Sequence, residues 1–276
     1  MSIKYAYLGP AGTFTEAALQ KIATPSDQLI AYANVTAALN AVRNGECQKA
    51  LVPIENSVEG VVARTLDELA IGQALVITAE TTLPVSFSLM TLSNTNAAQI
   101  KSIATHPHAE SQCRSFIAKN YPNAQVIESS STAAAAKGLS KGDYDAAIAG
   151  SNAAKNYGLK VIAENIGDNM GAVTRFVLVE KPGNQPKATG KDRTSLAVFI
   201  ALDHAGALLE ILNEFAKHQV NLTFIQSRPT GSQLGHYHFI IDAEGHIEDK
   251  PISAALAGLK EICEDIRFLG SYPQAK

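Results

Sequence analysis

The chain has 276 residues, 46% of them apolar, enough for roughly two domains of 100–200 residues with cores of their own. Twenty-three Lys and Arg against 26 Asp and Glu leave a net charge of −3, which excludes a protein held on nucleic acid or a membrane by a basic surface. Cys47, Cys113 and Cys263 lie far apart with no Cys-x-x-Cys pair, so neither a disulfide framework nor a zinc knuckle is expected, and a reducing compartment fits. Residues 1–5 run straight into a strand pattern, and no apolar run approaches the ~18 residues of a membrane span, so a soluble, cytoplasmic protein is expected.

In chain order, short strand-like runs alternate with short amphipathic helices up to about residue 180. The expected strands are 3–8, 29–33, 50–54, 75–79, 100–105, 126–128, 146–149 and 176–179, which predicts an α/β fold with largely parallel pairing. Thr13 to Glu16 has capping-box spacing, Pro107 suits a first helical position, and Gly45 and Gly158 stand where helices end. Residues 181–193 hold two prolines, two glycines and no large apolar side chain, the texture of a linker. Beyond it Leu196, Val198 and Ile200 alternate as a strand face, and Leu208, Ile211, Leu212 and Phe215 follow at helical spacing. Strands at 222–227 and 237–241, a helical stripe of Ile252, Ala255, Leu256 and Leu259, and a strand at 266–269 complete the order βαββαβ in about 80 residues, the ferredoxin-like arrangement.

Several junctions carry chemistry. Leu8-Gly9-Pro10-Ala11-Gly12-Thr13-Phe14-Thr15-Glu16 combines glycines that admit close approach with a helix start whose N–H groups and dipole suit a carboxylate. It lacks the Lys of a P-loop and the third Gly of a dinucleotide fingerprint, and a tight capped turn accounts for it equally well. Pro53-Ile54-Glu55-Asn56-Ser57-Val58-Glu59-Gly60 follows an apolar strand end, where ligands of open α/β sheets sit. Asn56 and Ser57 supply hydrogen bonds there without charge; if they only cap a helix, Glu55 faces solvent. Ser129, Ser130, Ser131 and Thr132 place four hydroxyls at one helix start, more than a cap requires, although an ordinary polar loop accounts for them as well. Pro107 separates His106 from His108, so no metal site is expected, and His236-Tyr237-His238 reads as an exposed sheet face. No Gly-x-Ser-x-Gly elbow signals a hydrolytic serine. Asp168 to Gly171 is a flexible approach to a strand opening with Thr174, Arg175 and Phe176.

Taken together and in this order, Gly9-Pro10-Ala11-Gly12-Thr13-Phe14-Thr15, the 53–60 segment, the Ser-rich turn before Thr132-Ala133, and Thr174-Arg175-Phe176 resemble the prephenate dehydratase family over nearly the whole chain. The C-terminal part resembles an ACT domain through Gly206-Ala207-Leu208-Leu209, Asn221-Leu222-Thr223 and Gln226-Ser227-Arg228-Pro229, and no chorismate mutase segment precedes Ile3, as in monofunctional members. The resemblance implies a two-lobed, periplasmic-binding-protein-like α/β catalytic domain over 1–180, with one lobe from about 1–73 and 167–180 and the other from about 79–165. A linker over 181–193 and a ferredoxin-like ACT regulatory domain over 194–276 follow. It makes Thr174 the catalytic hydroxyl, with Arg175 holding a substrate carboxylate or bracing the motif. Thr13, Asn56, Ser57, Gln112, Ser129, Ser130, Ser131 and Phe176 are the implied substrate contacts. Gly206, Ala207, Leu208, Leu209, Asn221, Leu222 and Ser227 are the implied phenylalanine site, with Ser227 and Arg228 in regulation. Two positions depart from the family pattern: Ala172, where Asn is common, and Gln226, where the ACT motif usually begins with Glu.

The implied reaction is decarboxylating dehydration of prephenate to phenylpyruvate in phenylalanine biosynthesis. Departing carbon dioxide supplies the electron pair that expels hydroxide and leaves an aromatic ring, so the chemistry calls for no cofactor and no metal. The site must hold a dianion, orient it and protonate the departing oxygen, for which a Thr hydroxyl and neutral donors such as Asn56, Ser57 and Gln112 suit. The implied partners are prephenate, L-phenylalanine as feedback inhibitor and further copies of the chain in a dimer or tetramer, with no nucleic acid or membrane. Arogenate dehydratase, whose substrate differs only in its side chain, and a non-catalytic cytosolic amino-acid sensor are the alternatives, and Thr174-Arg175-Phe176 favours an enzyme.

Overall fold

The apolar runs of the sequence become the buried centres of three sheets in a computed structural model, which describes residues 2–200, 204–231 and 237–275. Up to residue 180 the elements are β1 (Lys4–Leu8), α1 (Phe14–Gln20), β2 (Gln28–Tyr32), α2 (Val35–Arg43), β3 (Lys49–Asn56), β4 (Gly60–Val61), α3 (Ala63–Ala70), β5 (Val76–Pro84), β6 (Ser88–Thr91), β7 (Ser102–Thr105), α4 (Pro107–Gln112), α5 (Arg114–Asn120), β8 (Gln125–Glu128), α6 (Thr132–Leu139), β9 (Ala146–Ala149), α7 (Ser151–Tyr157), β10 (Lys160–Ala163) and β11 (Val173–Glu180). Then come β12 (Asp192–Ile200), α8 (Ala207–Lys217), β13 (Leu222–Pro229), β14 (Tyr237–Glu244), α9 (Lys250–Ile262) and β15 (Cys263–Pro273), the βαββαβ order the spacing predicts.

One sheet is ordered β2-β1-β3-β11-β5 with β4 on β3, a second β10-β6-β9-β7-β8, and a third β13-β14-β12-β15. The chain divides into two compact units, Met1–Ala38, Leu51–Val61 and Thr82–Phe176 forming one, and Leu39–Ala50, Val62–Thr81 and Val177–Lys276 the other. Within the first unit the second sheet is mixed: β7 runs parallel to β8 and β9, whereas β6 runs antiparallel to β9 and β10. This departs from the largely parallel pairing expected, because β6 and β10 were not among the predicted strands. β6 is buried at every position, so it has no polar face to alternate with.

Both faces of this sheet are covered. Leu89, Ile103 and Ile148 belong to one core cluster with Phe87 and Cys113, while Met90, Ala104, Ala147 and Ala149 belong to another with the alanines of α6 and α7. Methyl side chains let these two helices approach the sheet closely, and the density of such packing makes added volume costly. Gly158 takes a left-handed φ of 66° to end α7, where a Cβ would be strained.

In the second unit Leu196, Val198, Ile211, Phe215, Ile241, Ile252 and Leu259 form the core between sheet and helices. Each such side chain contributes roughly 1.5–3 kcal/mol when fully buried. β12 begins at Asp192, inside the segment expected to be linker, because the Asp192 carboxylate gathers Thr189 N–H (2.7 Å), Thr189 Oγ1 (2.7 Å) and Gly190 N–H (3.0 Å) into a turn. No helix among the described residues is long and apolar enough to cross a membrane.

Asp145, just before β9, accepts on one oxygen from the N–H of Lys101 (2.9 Å), the N–H of Ser102 (3.0 Å) and Ser102 Oγ (2.9 Å). These bonds, the Lys101 N–H first, hold its carboxyl below the usual value. A depressed carboxylate contributes stability above its unfolded pKa of about 3.9 and loses it as pH falls through the lower folded value. Asp145→Asn is expected to cost about 1 kcal/mol at pH 7, and the gap from the parent to narrow as pH falls below about 4. Calorimetric midpoints at neutral and acidic pH check this; an undiminished gap in acid contradicts it.

Candidate active site

The contacts that gather Asn56, Ser57, Gln112 and Thr174 lie within the first unit. β11 is an apolar run whose Phe176, Val177, Leu178 and Val179 are buried, and Thr174 sits at its entrance, 8% exposed. β3 ends in Asn56, which turns the chain: its Oδ1 accepts from the N–H groups of Val58 and Glu59, both at 2.9 Å. An Asn side chain that accepts from the backbone two and three residues on is the chemistry of a tight polar turn. With its oxygen so occupied, the amide presents Nδ2, which donates to Thr174 Oγ1 at 2.8 Å.

Ser57 extends the contact. Its N–H donates to Val173 O and its Oγ accepts from Val173 N–H, both at 2.9 Å, so the residue beside Thr174 is clipped from two sides. Arg175 is buried, with Nη1 3.8 Å from Glu55 Oε2. Glu55 therefore does not merely face solvent, as it would if the segment were only a cap. Gln112, at the end of α4, donates from Nε2 to Glu59 Oε1 at 2.7 Å. Thr174, Asn56, Ser57, Glu59 and Gln112 thus form one connected set.

Phe176, an implied substrate contact, is buried. At 1% exposure its ring is core, as the uninterrupted apolar run around it requires. Thr13 caps α1: Oγ1 accepts from Glu16 N–H at 3.3 Å and donates to Leu8 O at 3.0 Å, so its proton is already placed. The Glu16 carboxylate does not return to the cap as a capping box would. It accepts from Gly12 N–H (2.6 Å), Tyr7 Oη (3.1 Å) and Asn156 Nδ2 (2.8 Å), while Asn152 Nδ2 and Tyr157 Oη of α7 donate to Thr13 O (2.9 Å) and Ala11 O (2.7 Å). Burial, and then the Glu16 charge, raise the Tyr7 phenol. Gly12 sits at φ 89°, a conformation side chains rarely adopt, and a Cβ there would lie only 3.2 Å from Ala153, so the position favours glycine.

Of the Ser-rich turn, Ser131 is the cap of α6, its Oγ accepting from Ala134 N–H at 3.0 Å; Ser129 is half-buried and Ser130 exposed. His106 caps α4 by accepting from His108 N–H at 3.3 Å, with the two rings edge to face. Burial pushes the Cys113 thiol up to about 12, which leaves it no nucleophile near neutral pH.

Within the second unit, Gly206 opens α8 at a φ of 102°, followed by buried Ala207, half-buried Leu208 and exposed Leu209. Asn221 precedes β13, Leu222 is its first residue, and Ser227 lies exposed further along it. Arg228 is engaged: Nε and Nη2 donate to the two carboxylate oxygens of Asp67 on α3, each at 2.8 Å. His238 is no exposed face residue; it is fully buried on β14, stacked on Phe199 with ring centroids 5.0 Å apart, and burial lowers its pKa. His236 lies outside the described residues. A cavity of about 580 Å³ lined by Lys49, Thr78, Glu180 and Gln185 contains none of the predicted site residues.

Comparison with known proteins gives the family of the chain. A family model described as prephenate dehydratase matches residues 5–184, and an ACT-domain model matches 194–261. Among curated relatives, a prephenate dehydratase of Amycolatopsis methanolica is 44% identical, covering 99% of this chain and 89% of its own. Among solved structures, a prephenate dehydratase from Arthrobacter aurescens, in complex with L-Phe, is 49% identical with a TM-score of 0.92, covering 99% of this chain and 90% of that one. GqqA, described as a novel type of quorum quenching acylase, is 28% identical with a TM-score of 0.86, covering 98% of this chain and 97% of that one. The chain belongs to the prephenate dehydratase family and is built as its enzymes are, an α/β catalytic region followed by an ACT domain.

Proposed function

We propose that Thr174 is the proton donor in the reaction of this chain, the decarboxylating dehydration of prephenate to phenylpyruvate. The observation that carries this assignment is the bond from Asn56 Nδ2 to Thr174 Oγ1. Because the hydroxyl oxygen accepts from the amide, its own hydrogen is left to donate elsewhere. In the reaction the bond between ring and carboxylate breaks, its electron pair enters the ring, and the bond to the ring hydroxyl breaks with its own pair. Hydroxide takes the Thr174 proton and leaves as water, carbon dioxide leaves from the other end, and solvent returns a proton to Thr174. A threonine is a weak acid, but departing hydroxide is a very strong base, so transfer late in bond breaking is feasible. The amide N–H then faces the oxygen on which charge transiently collects.

The same bond argues against an acyl-transfer role for Thr174. A nucleophilic hydroxyl needs a base to take its proton, whereas here an amide donates to it. Arg175, held near Glu55, braces β11 at its entrance. Asn56, Ser57 and Gln112 orient the substrate, with Thr13 and residues 129–131 at its periphery.

L-phenylalanine is the proposed effector, bound by residues 206–209, 221–222 and 227, with Ser227 and Arg228 relaying its presence. The bidentate pair Arg228–Asp67 supports the relay, for Asp67 lies on α3, which follows the Asn56 turn after the short strand β4. The edge position of β13 and exposed Ile225 support pairing with a second copy of the chain. Free cysteines are consistent with the cytoplasm.

Thr174→Ala is expected to lower kcat by ~10²–10⁴ with the fold intact, and Thr174→Ser to retain part of it. Phenylpyruvate formation from prephenate measures both, and an alanine variant at parental turnover would exclude Thr174 as the donor. Asp67→Asn should leave basal turnover unchanged and weaken inhibition by L-phenylalanine about fivefold or more, since coupling energies of this kind are typically ~1–3 kcal/mol. Inhibition curves decide it; an unmoved curve removes the relay.

A further inference from the structure

Glu59 holds two amides of the site at once. Its N–H donates to Asn56 Oδ1 at 2.9 Å, and its Oε1 accepts from Gln112 Nε2 at 2.7 Å, with Oε2 3.6 Å from His108 Nδ1. Gln112 is 8% exposed, and its Oε1 is buried with no hydrogen-bond partner among the described residues. An unpaired buried acceptor is costly, yet turning the amide over would set its oxygen against the Glu59 carboxylate, acceptor against acceptor. The carboxylate therefore dictates which end of Gln112 is free, and the free end is the carbonyl.

Prephenate carries two carboxylates and a ketone, all acceptors, and one donor, the ring hydroxyl that departs. A buried carbonyl can pair with only that hydroxyl. We propose that Glu59 is a positioning residue: it sets the polarity of Gln112 so that Gln112 accepts the O–H of the leaving group while Thr174 donates to the same oxygen. This reverses the donor role that the sequence suggested for Gln112. The inference rests on the assignment of Thr174 as proton donor.

A kinetic double-mutant cycle on the full chain tests it, with circular dichroism and thermal midpoints as controls. Glu59→Ala and Glu59→Leu, which lack an acceptor, are expected to lower kcat about tenfold or more with a smaller change in KM, since a mis-set group in the site is costly. Glu59→Gln, whose carbonyl still accepts from Gln112 Nε2, should restore kcat to within a few-fold of the parent. In a Gln112→Ala background, Glu59→Ala should change kcat no further. Additive losses, failure of Glu59→Gln to rescue, or parental kcat in both apolar variants overturns the proposal. Thr174→Ala measured alongside separates the two claims: if it is inactive while the Glu59 variants are unaffected, only the role of Glu59 falls, and if it stays active, the site assignment itself falls.

Discussion

The donation from Asn56 Nδ2 to Thr174 Oγ1 is the interaction on which the chemistry depends, and its direction is fixed by backbone. Two N–H groups, of Val58 and Glu59, occupy the amide oxygen, so the turn that ends β3 decides which end of the side chain Thr174 meets. Polarity then passes outward through the same turn, since the residue whose N–H orients Asn56 also orients Gln112 through its carboxylate. Ser57, clipped to both backbone groups of Val173, keeps Thr174 from sliding along its strand.

These neutral groups suit a substrate that already carries two negative charges. An amide or hydroxyl can follow a charge that moves from carboxylate to leaving oxygen without pinning it at either place, and preorganised dipoles need no rearrangement as the charge shifts. The acidic groups of the region are each engaged: Glu55 lies near Arg175, Glu59 takes the amide of Gln112, and Glu16 is enclosed by Gly12, Tyr7 and Asn156. The Glu16 cluster ties the Gly12–Thr13 turn to α7, so the alanine-packed sheet beneath α7 also steadies the first loop of the chain.

Much of this was legible in the sequence where chemistry is local. Turn and cap residues, the Asn56-Ser57 strand end and the βαββαβ order of the C-terminal part announce themselves from local pattern, whereas the Thr174 strand entrance means little alone and stands out only through the family resemblance. What was not legible rests on contacts between distant segments: Glu16 meets Asn156 across 140 positions, Glu59 meets Gln112 across 53, and Arg228 meets Asp67 across 161. Nothing near Glu16 distinguishes it from an ordinary capping-box glutamate. β6 and β10 escaped for a different reason, being four-residue strands, one of them buried on both faces, with no alternation to read. His238 reads as an exposed face residue because no carboxylate or cysteine stands beside it in sequence, but β14 is an interior strand buried over six consecutive residues.

Turnover of Asn56→Asp reads out whether Thr174 gives up its proton because Asn56 donates to its oxygen. The carboxylate has the same shape and can still accept from Val58 and Glu59, but it can only accept from Thr174, and so claims the hydroxyl hydrogen for itself. A fall in kcat comparable to loss of the Thr174 hydroxyl is expected, with an unchanged thermal midpoint. An Asn56→Asp variant that turns over prephenate at the parental rate at neutral pH would contradict it.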